Sequence, residues 1–118
     1  MPASSIKRAV EIRSYEAQPG TREAFHALMS DQAVPMLRRW NVDVVAYGPS
    51  GHDADSYFLI RAYRDVAERD ASQDAFYGSD EWRNGPRQAI LAPIRHYTSI
   101  VMSLDEACID ALRAASPS

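Results

Sequence analysis

The chain of 118 residues carries one cysteine, Cys108, so no intramolecular disulfide can form, and a reducing compartment, the cytoplasm, is the expected location. Glycine is scarce, and its five copies form neither a G-x-G-x-x-G nor a G-x-S-x-G spacing, which argues against a nucleotide-dependent enzyme or a triad hydrolase. No apolar run approaches the roughly 20 residues of a membrane span, and Met1 to Arg8 lacks the apolar stretch of a signal peptide. No membrane partner is expected. Thirteen Lys and Arg against sixteen Asp and Glu give a formal charge of −3 without a basic stripe, so nucleic acid is not an expected partner either. The three histidines, His26, His52 and His96, lack metal-ligand spacing, and neither a metal nor another cofactor is expected. With 46% hydrophobic and 25% charged residues, the composition is that of one globular domain.

Period-2 alternation marks the first strand, Lys7 to Glu16, with Val10, Ile12 and Ser14 on one side and Glu11, Arg13 and Tyr15 on the other. Pro19-Gly20 breaks it, and Thr21 can cap a helix running to about Trp40, whose buried arc holds Phe25, Met29, Gln32, Ala33, Met36 and Trp40. Pro35 should kink or split this helix around Gln32 to Val34. Asn41 to Gly48 is valine-rich and ends in dense turn chemistry, and Ser56 to Tyr63 alternates strictly; these read as the second and third strands. Asp65 caps a helix to about Tyr77, Ser79 caps a second piece bent at Gly85-Pro86, Ile94 to Ser103 is the fourth strand, and Leu104 to Ala115 is an amphipathic tail helix.

The order β-α-β-β-α-β predicts an α+β fold, a ferredoxin-like βαββαβ plait with a four-stranded antiparallel sheet and helices on one face. Residues 8–104 form the domain, after a flexible N-terminus over 1–7 and before a C-terminal helix and frayed tail over 105–118. The helices are expected to cover the side of Val10, Ile12, Phe58, Ile60, Ile100 and Met102, which needs an apolar partner. The opposite side, with Glu11, Arg13, Tyr15, Tyr47, Tyr57, Leu59, Arg61, Tyr63, Arg95, Tyr97 and Val101, is then left for a second copy of the sheet. A homodimer closed into an α+β barrel, with Arg–Glu pairs inside, follows from that assignment.

His26 falls inside the buried helical arc, and His96 has the strand parity of Ile94 and Ile100, so both are expected to face the layer between helices and sheet. Pairing of the first and fourth strands would bring Ser14 and Thr98 beside them. This cluster nominates His26 and His96 as acid/base candidates, with Ser14 and Thr98 as binding groups. The competing reading is that each histidine bonds only to backbone or water. Arg13 and Arg61 could clamp a carboxylate through their planar forks or simply pair with Glu11. Tyr15 and Tyr63, with Tyr47 and Tyr97, could line a cavity or fill a barrel, and Trp40 and Trp82 could wall a planar ligand or serve as core. Cys108 reads as a small buried hydrophobe.

Glu11-Ile12-Arg13-Ser14-Tyr15 followed by Pro19-Gly20, then Val34-Pro35-Met36-Leu37, then Ser79-Asp80-Glu81-Trp82, resemble the NIPSNAP family of dimeric α+β barrels, over Val10 to Leu104. The resemblance implies a wider superfamily with antibiotic-biosynthesis monooxygenases and muconolactone isomerases, in which the ligand cavity lies between helices and sheet. It supplies no catalytic motif to carry over, and the absence here of the long targeting extension of mitochondrial members implies the bacterial single-domain type. Two functions are therefore expected. One is a cofactor-independent enzyme of monooxygenase or isomerase type on a small aromatic or carbonyl metabolite; the other is a non-catalytic ligand-binding or interaction protein. A helix-to-sheet cavity of roughly 300 Å³ or more that reaches His26 would favour the enzyme.

Overall fold

The computed structural model describes residues 7–115, so most of the expected flexible N-terminus and the end of the tail lie outside the described residues. Four strands, β1 (Lys7–Ala17), β2 (Asp43–Pro49), β3 (Ser56–Tyr63) and β4 (Ile94–Asp105), form one sheet in the order β2-β3-β1-β4, with every neighbouring pair antiparallel. This is the βαββαβ plait that the alternation predicts.

Between β1 and β2 the chain turns at Gly20, which takes φ +80°, and enters α1 (Arg22–Leu28). Thr21 stands at the N-cap position, yet its hydroxyl donates to the Gln18 carbonyl at 2.7 Å and caps no helical N–H. Pro35 does split the helix. A π-helical turn, Met29–Ala33, precedes α2 (Val34–Arg39), so the proline sits in the first turn of a new helix, where its missing N–H costs little. The wider turn also shifts the helical phase, which puts Gln32 in solvent while Met29, Ala33 and Met36 stay buried.

After β3, Asp65 accepts the Glu68 N–H at 2.8 Å and starts α3 (Val66–Tyr77). Ser79 accepts the Trp82 N–H and starts α4 (Asp80–Asn84), and Gly85-Pro86 separates it from α5 (Arg87–Leu91). The chain ends in α6 (Glu106–Ala115).

The sheet faces are inverted relative to the hydropathy-based expectation. The helices α1 to α5 cover the side of Tyr15, Tyr57, Leu59 and Tyr63, which pack with Phe25, Met29, Phe76, Trp82 and Ile90 into the main core. Glu11 and Arg61 lie on that same side and are fully buried. The opposite side, Val10, Ile60 and Ala62 with Ile12 and Phe58, meets only α6, through Ile109, Leu104 and Leu112. Aromatic rings present as much apolar surface as aliphatic chains, so both faces qualified as cores, and the charged residues of the first face pair with one another.

A bulge between Val44 and Ala46 interrupts the alternation: Val44 joins the main core, and Val45 and Ala46 both join the α6 cluster. Asp43 holds α6 down. It takes a bidentate fork from Arg113 at 2.9 and 3.2 Å and a further bond from Arg8 at 3.1 Å. Burial alone would push its carboxyl up, but these guanidinia hold it below the usual range. Cys108 is exposed on α6 rather than buried, because Ile109 takes the inward position. Beyond the reach of α6, the edge strand β4 leaves Ile100 at 59% and Met102 at 42% exposure. Among the described residues no helix is long and apolar enough to cross a membrane.

Candidate functional site

The polar centre of the helix-covered face is Glu11, from the middle of β1. Its Oε1 accepts from Arg61 Nη2 at 2.7 Å and Gln73 Nε2 at 2.6 Å, and its Oε2 from Arg13 Nη2 and Arg69 Nη2, both at 3.0 Å. Burial alone would raise this carboxyl; Arg61 and Arg13, with the Arg69 hydrogen bond, more than offset that and bring it down to about 2. One carboxylate thus serves three guanidinia. Arg69 also meets Asp70 at 3.0 Å, but the cluster retains an excess of positive charge. The Nε of Arg61 and of Arg69 are buried and find no partner among the described residues.

Arg13 carries this charge to a wall. Beside the Glu11 cluster a cavity of about 550 Å³ opens between the sheet and the helices. Its sheet side is Arg13 and Tyr15 from β1 and Tyr97 from β4; its helix side is Gln73, Asp74 and Tyr77 from α3, Trp82 from α4, and Arg87, Ile90 and Leu91 from α5. Arg13 is held in place on every side: Nε donates to the Ser99 hydroxyl at 3.0 Å, Nη1 to the Tyr77 hydroxyl at 3.3 Å, and the guanidinium lies 4.9 Å from the Tyr97 ring centroid. Tyr15 stacks edge-on to Phe25 at 5.3 Å, and its burial pushes the phenol up to about 12, so it is neutral at physiological pH. A wall of two arginines, one aspartate, three tyrosines and a tryptophan suits a planar ligand with a polar or anionic end.

The sequence-based candidates divide sharply. Arg13, Tyr15 and Trp82 line the cavity, with Arg61 directly behind Arg13 through their common partner Glu11. Tyr63 and Trp40 instead line a separate hollow of about 310 Å³ on the other side of α3. The two tryptophans make no common wall: both pack against Phe76, and Trp40 donates its indole N–H to Glu81 at 2.8 Å.

The histidine cluster is not assembled. His26 lies on the helix side, where its Nδ1 is 2.6 Å from the Tyr57 hydroxyl, and it does not line the large cavity. His96 pairs in register with Glu16, and Ser14 pairs with Thr98, all with the parity of Val10 and Ile12 on the α6 side of the sheet. His26 points to the helix side as its helical angle predicts, whereas His96 shares the parity of Ile100 but not that of Ile94, which the bulge after Glu16 turns to the helix side, so the two histidines lie on opposite sides of the sheet.

Arg69, Gln73, Tyr77 and Arg87 belong to the Glu11 cluster or the cavity wall, and sequence reasoning missed them. Three of them stand four apart on α3 and so share one helix face, a polar stripe aimed at the Glu11 side of the sheet. That spacing was legible. It carries meaning only once the sheet face beneath it is known to be charged.

A four-stranded antiparallel plait with helices stacked on one face over a cavity defines an α+β domain of the ferredoxin-like class. Within that class the chain belongs to the NIPSNAP family, whose model matches residues 10–107. Among solved structures it is similar to a NIPSNAP family protein of unknown function from Agrobacterium tumefaciens strain C58, at 16% identity and TM-score 0.75, covering 85% of this chain and 90% of that one. An uncharacterized NIPSNAP-like domain protein from Burkholderia xenovorans matches at 16% identity and TM-score 0.73, over 80% and 83%. A putative antibiotic biosynthesis monooxygenase from Nitrosomonas europaea shares the fold at 14% identity and TM-score 0.58, over 80% and 95%. Nothing among curated proteins matches the chain.

Proposed function

We propose that this protein binds a small metabolite, aromatic or carbonyl-bearing, in the cavity between sheet and helices, and acts there without a cofactor by acid/base chemistry of the monooxygenase or isomerase type. The observation that carries the reading is the cavity of about 550 Å³, inside the usual range for small-molecule sites, with Arg13 and Arg87 among its aromatic walls. The fold shared with a putative antibiotic biosynthesis monooxygenase agrees with it. In this reading Arg13, Tyr15 and Trp82 bind, and a cytoplasmic homodimer is the working form. The dimer contact is assigned to the side of Ile100 and Met102, since Arg13, Tyr15 and Arg61 lie under the protein's own helices and only the β4 end of their face, at Tyr97 and Val101, is exposed.

The non-catalytic alternative draws on one specific observation: neither His26 nor His96 lines the cavity, so the expected histidine base is missing there. Phenylpyruvate separates the two. Quenching of Trp82 fluorescence in a Trp40→Phe background, lost when Leu91→Phe is added to fill the cavity, reads binding. Proton NMR in D₂O then reads exchange at the carbon beside the ketone, and an oxygen electrode reads O₂ uptake. Exchange or uptake above the buffer rate supports the enzyme; saturable binding with neither supports a binding protein, and no binding of phenylpyruvate or other small aromatic acids overturns the site.

A further inference from the structure

Tyr77, the last residue of α3, receives two arginines on one oxygen. Arg61 Nη1 donates to its hydroxyl at 2.9 Å and Arg13 Nη1 at 3.3 Å, and both guanidinia lie 5.9 Å from its ring centroid. A phenolic oxygen can accept two hydrogen bonds and donate one. Both accepting positions are filled here by charged donors, and the hydroxyl hydrogen meets no acceptor among the described residues. The ring is half-buried on the cavity wall, next to Arg13.

We infer that Tyr77 and Arg13 form an oxyanion site in this cavity, with the Tyr77 hydroxyl donating to the enolate or phenolate oxygen of a planar ligand. This rests on the reading of the cavity as a small-molecule site and names the ligand class it takes. Three features fit that class. Donation from two guanidinia polarises the phenol, so its remaining O–H bond is a strong donor. Arg13 spends three of its five N–H groups on Ser99, Tyr77 and Glu11 and keeps two for a ligand. Glu11 and Asp70 together leave one of the three guanidinia of Arg13, Arg61 and Arg69 unneutralised, and Arg87 balances Asp74 on the cavity wall, so an arriving anion meets an excess of positive charge already fixed in place. The apolar and aromatic remainder, Tyr15, Trp82 and Ile90, fits the planar body of such a ligand and shields the charge from water.

The probes are 4-nitrophenol, whose ionisation is read from its colour, and 4-nitroanisole, the same ring with the oxygen blocked. Both are titrated with the full chain across the ionisation range of the phenol. The wild-type protein is expected to favour the phenolate over the neutral phenol about tenfold, which lowers the apparent pKa of the bound probe by about one unit. Tyr77→Phe should remove most of that preference and leave 4-nitroanisole binding within about twofold, whereas Tyr47→Phe, remote from the cavity, should leave the preference intact. Because the wild-type shift is measured without any variant, a Tyr77→Phe protein that failed to fold would not shelter the proposal. Equal affinity for phenol and phenolate in the wild type overturns the oxyanion site and leaves the cavity reading standing. So does a preference that survives in folded Tyr77→Phe. Failure of both probes to bind overturns the cavity reading and the oxyanion site with it.

Discussion

The two faces of this sheet solve the problem of burial in opposite ways. Beneath the helices, the side chains are aromatic and charged, and the charges are satisfied internally: Glu11 alone accepts from three guanidinia and an amide. On the other face the side chains are aliphatic, and yet only part of them is covered, by Ile109 and its neighbours on α6. Polar residues thus lie deeper than isoleucine. Hydropathy says what a side chain gains by leaving water, whereas the network around it decides whether leaving is possible at all.

The largest effect should follow from removing the one anion on which the covered face depends. Glu11→Gln leaves Arg13 and Arg61 without a carboxylate and Arg69 with only the exposed Asp70, and a loss of about 3–5 kcal/mol is expected from urea unfolding, possession of a cooperative transition being itself at risk. Acid does the same to the wild type. Glu11 ionises at about 2 in the folded protein against 4.5 in the reference state, so its stabilisation is complete above pH 4.5 and is lost as pH falls toward 2, by roughly 3 kcal/mol. The Glu11→Gln protein should lack that share of the acid sensitivity. A variant as stable as wild type would mean that the guanidinia find water or other anions, and the contrast between the faces would collapse.

Much of this architecture was legible beforehand. Ser56–Tyr63 is found as a strand with the limits its alternation gave, Asp65 and Ser79 cap their helices, and Pro35 divides the first helix, because each depends on local geometry. The choice of face was not local. Tyr15 and Ile12 are adjacent in pattern and comparable in apolar area, so alternation separates the faces without ranking them. The Arg–Glu pairing expected inside a dimer barrel does form, but within one chain, because Glu11 and Arg61 are register partners on β1 and β3 and α3 adds Arg69 and Gln73 to them. Arg13, Tyr15 and Trp82 were legible as site residues by type, and Tyr77 was not, since its significance lies in two arginines that arrive from other strands.

The open face yields the second prediction. In the proposed dimer, Ile100→Arg places an unpaired charge in the contact and should raise the dimer dissociation constant at least about a hundredfold, or roughly 2.7 kcal/mol, by sedimentation equilibrium. Stability of the protomer at limiting dilution should change little, as Ile100 is already 59% exposed. An unchanged dimer, or a wild-type monomer at all concentrations, would remove the association assigned to this face.

The smallest effect separates the two histidines that sequence reasoning put together. On the covered face the Tyr57 ring is fully buried and its hydroxyl has only His26 Nδ1, 2.6 Å away, as a partner among the described residues, so it donates its hydrogen there and the neutral histidine carries its own on Nε2. His26→Ala leaves a hydroxyl on a fully buried ring without its acceptor, a cost of about 1–3 kcal/mol. His96 stands exposed at the start of β4, and His96→Ala should shift stability by no more than about 0.5 kcal/mol. Urea midpoints of the two variants, taken under dilute conditions where association does not contribute, measure the difference directly. Adding Tyr57→Phe sharpens it: with the hydroxyl gone, His26→Ala should cost less than it does alone, and the coupling in the double-mutant cycle is the worth of that one hydrogen bond. Equal costs for His26→Ala and His96→Ala, or a cycle with no coupling, would show that the side of the sheet on which a histidine lies is not what sets its contribution.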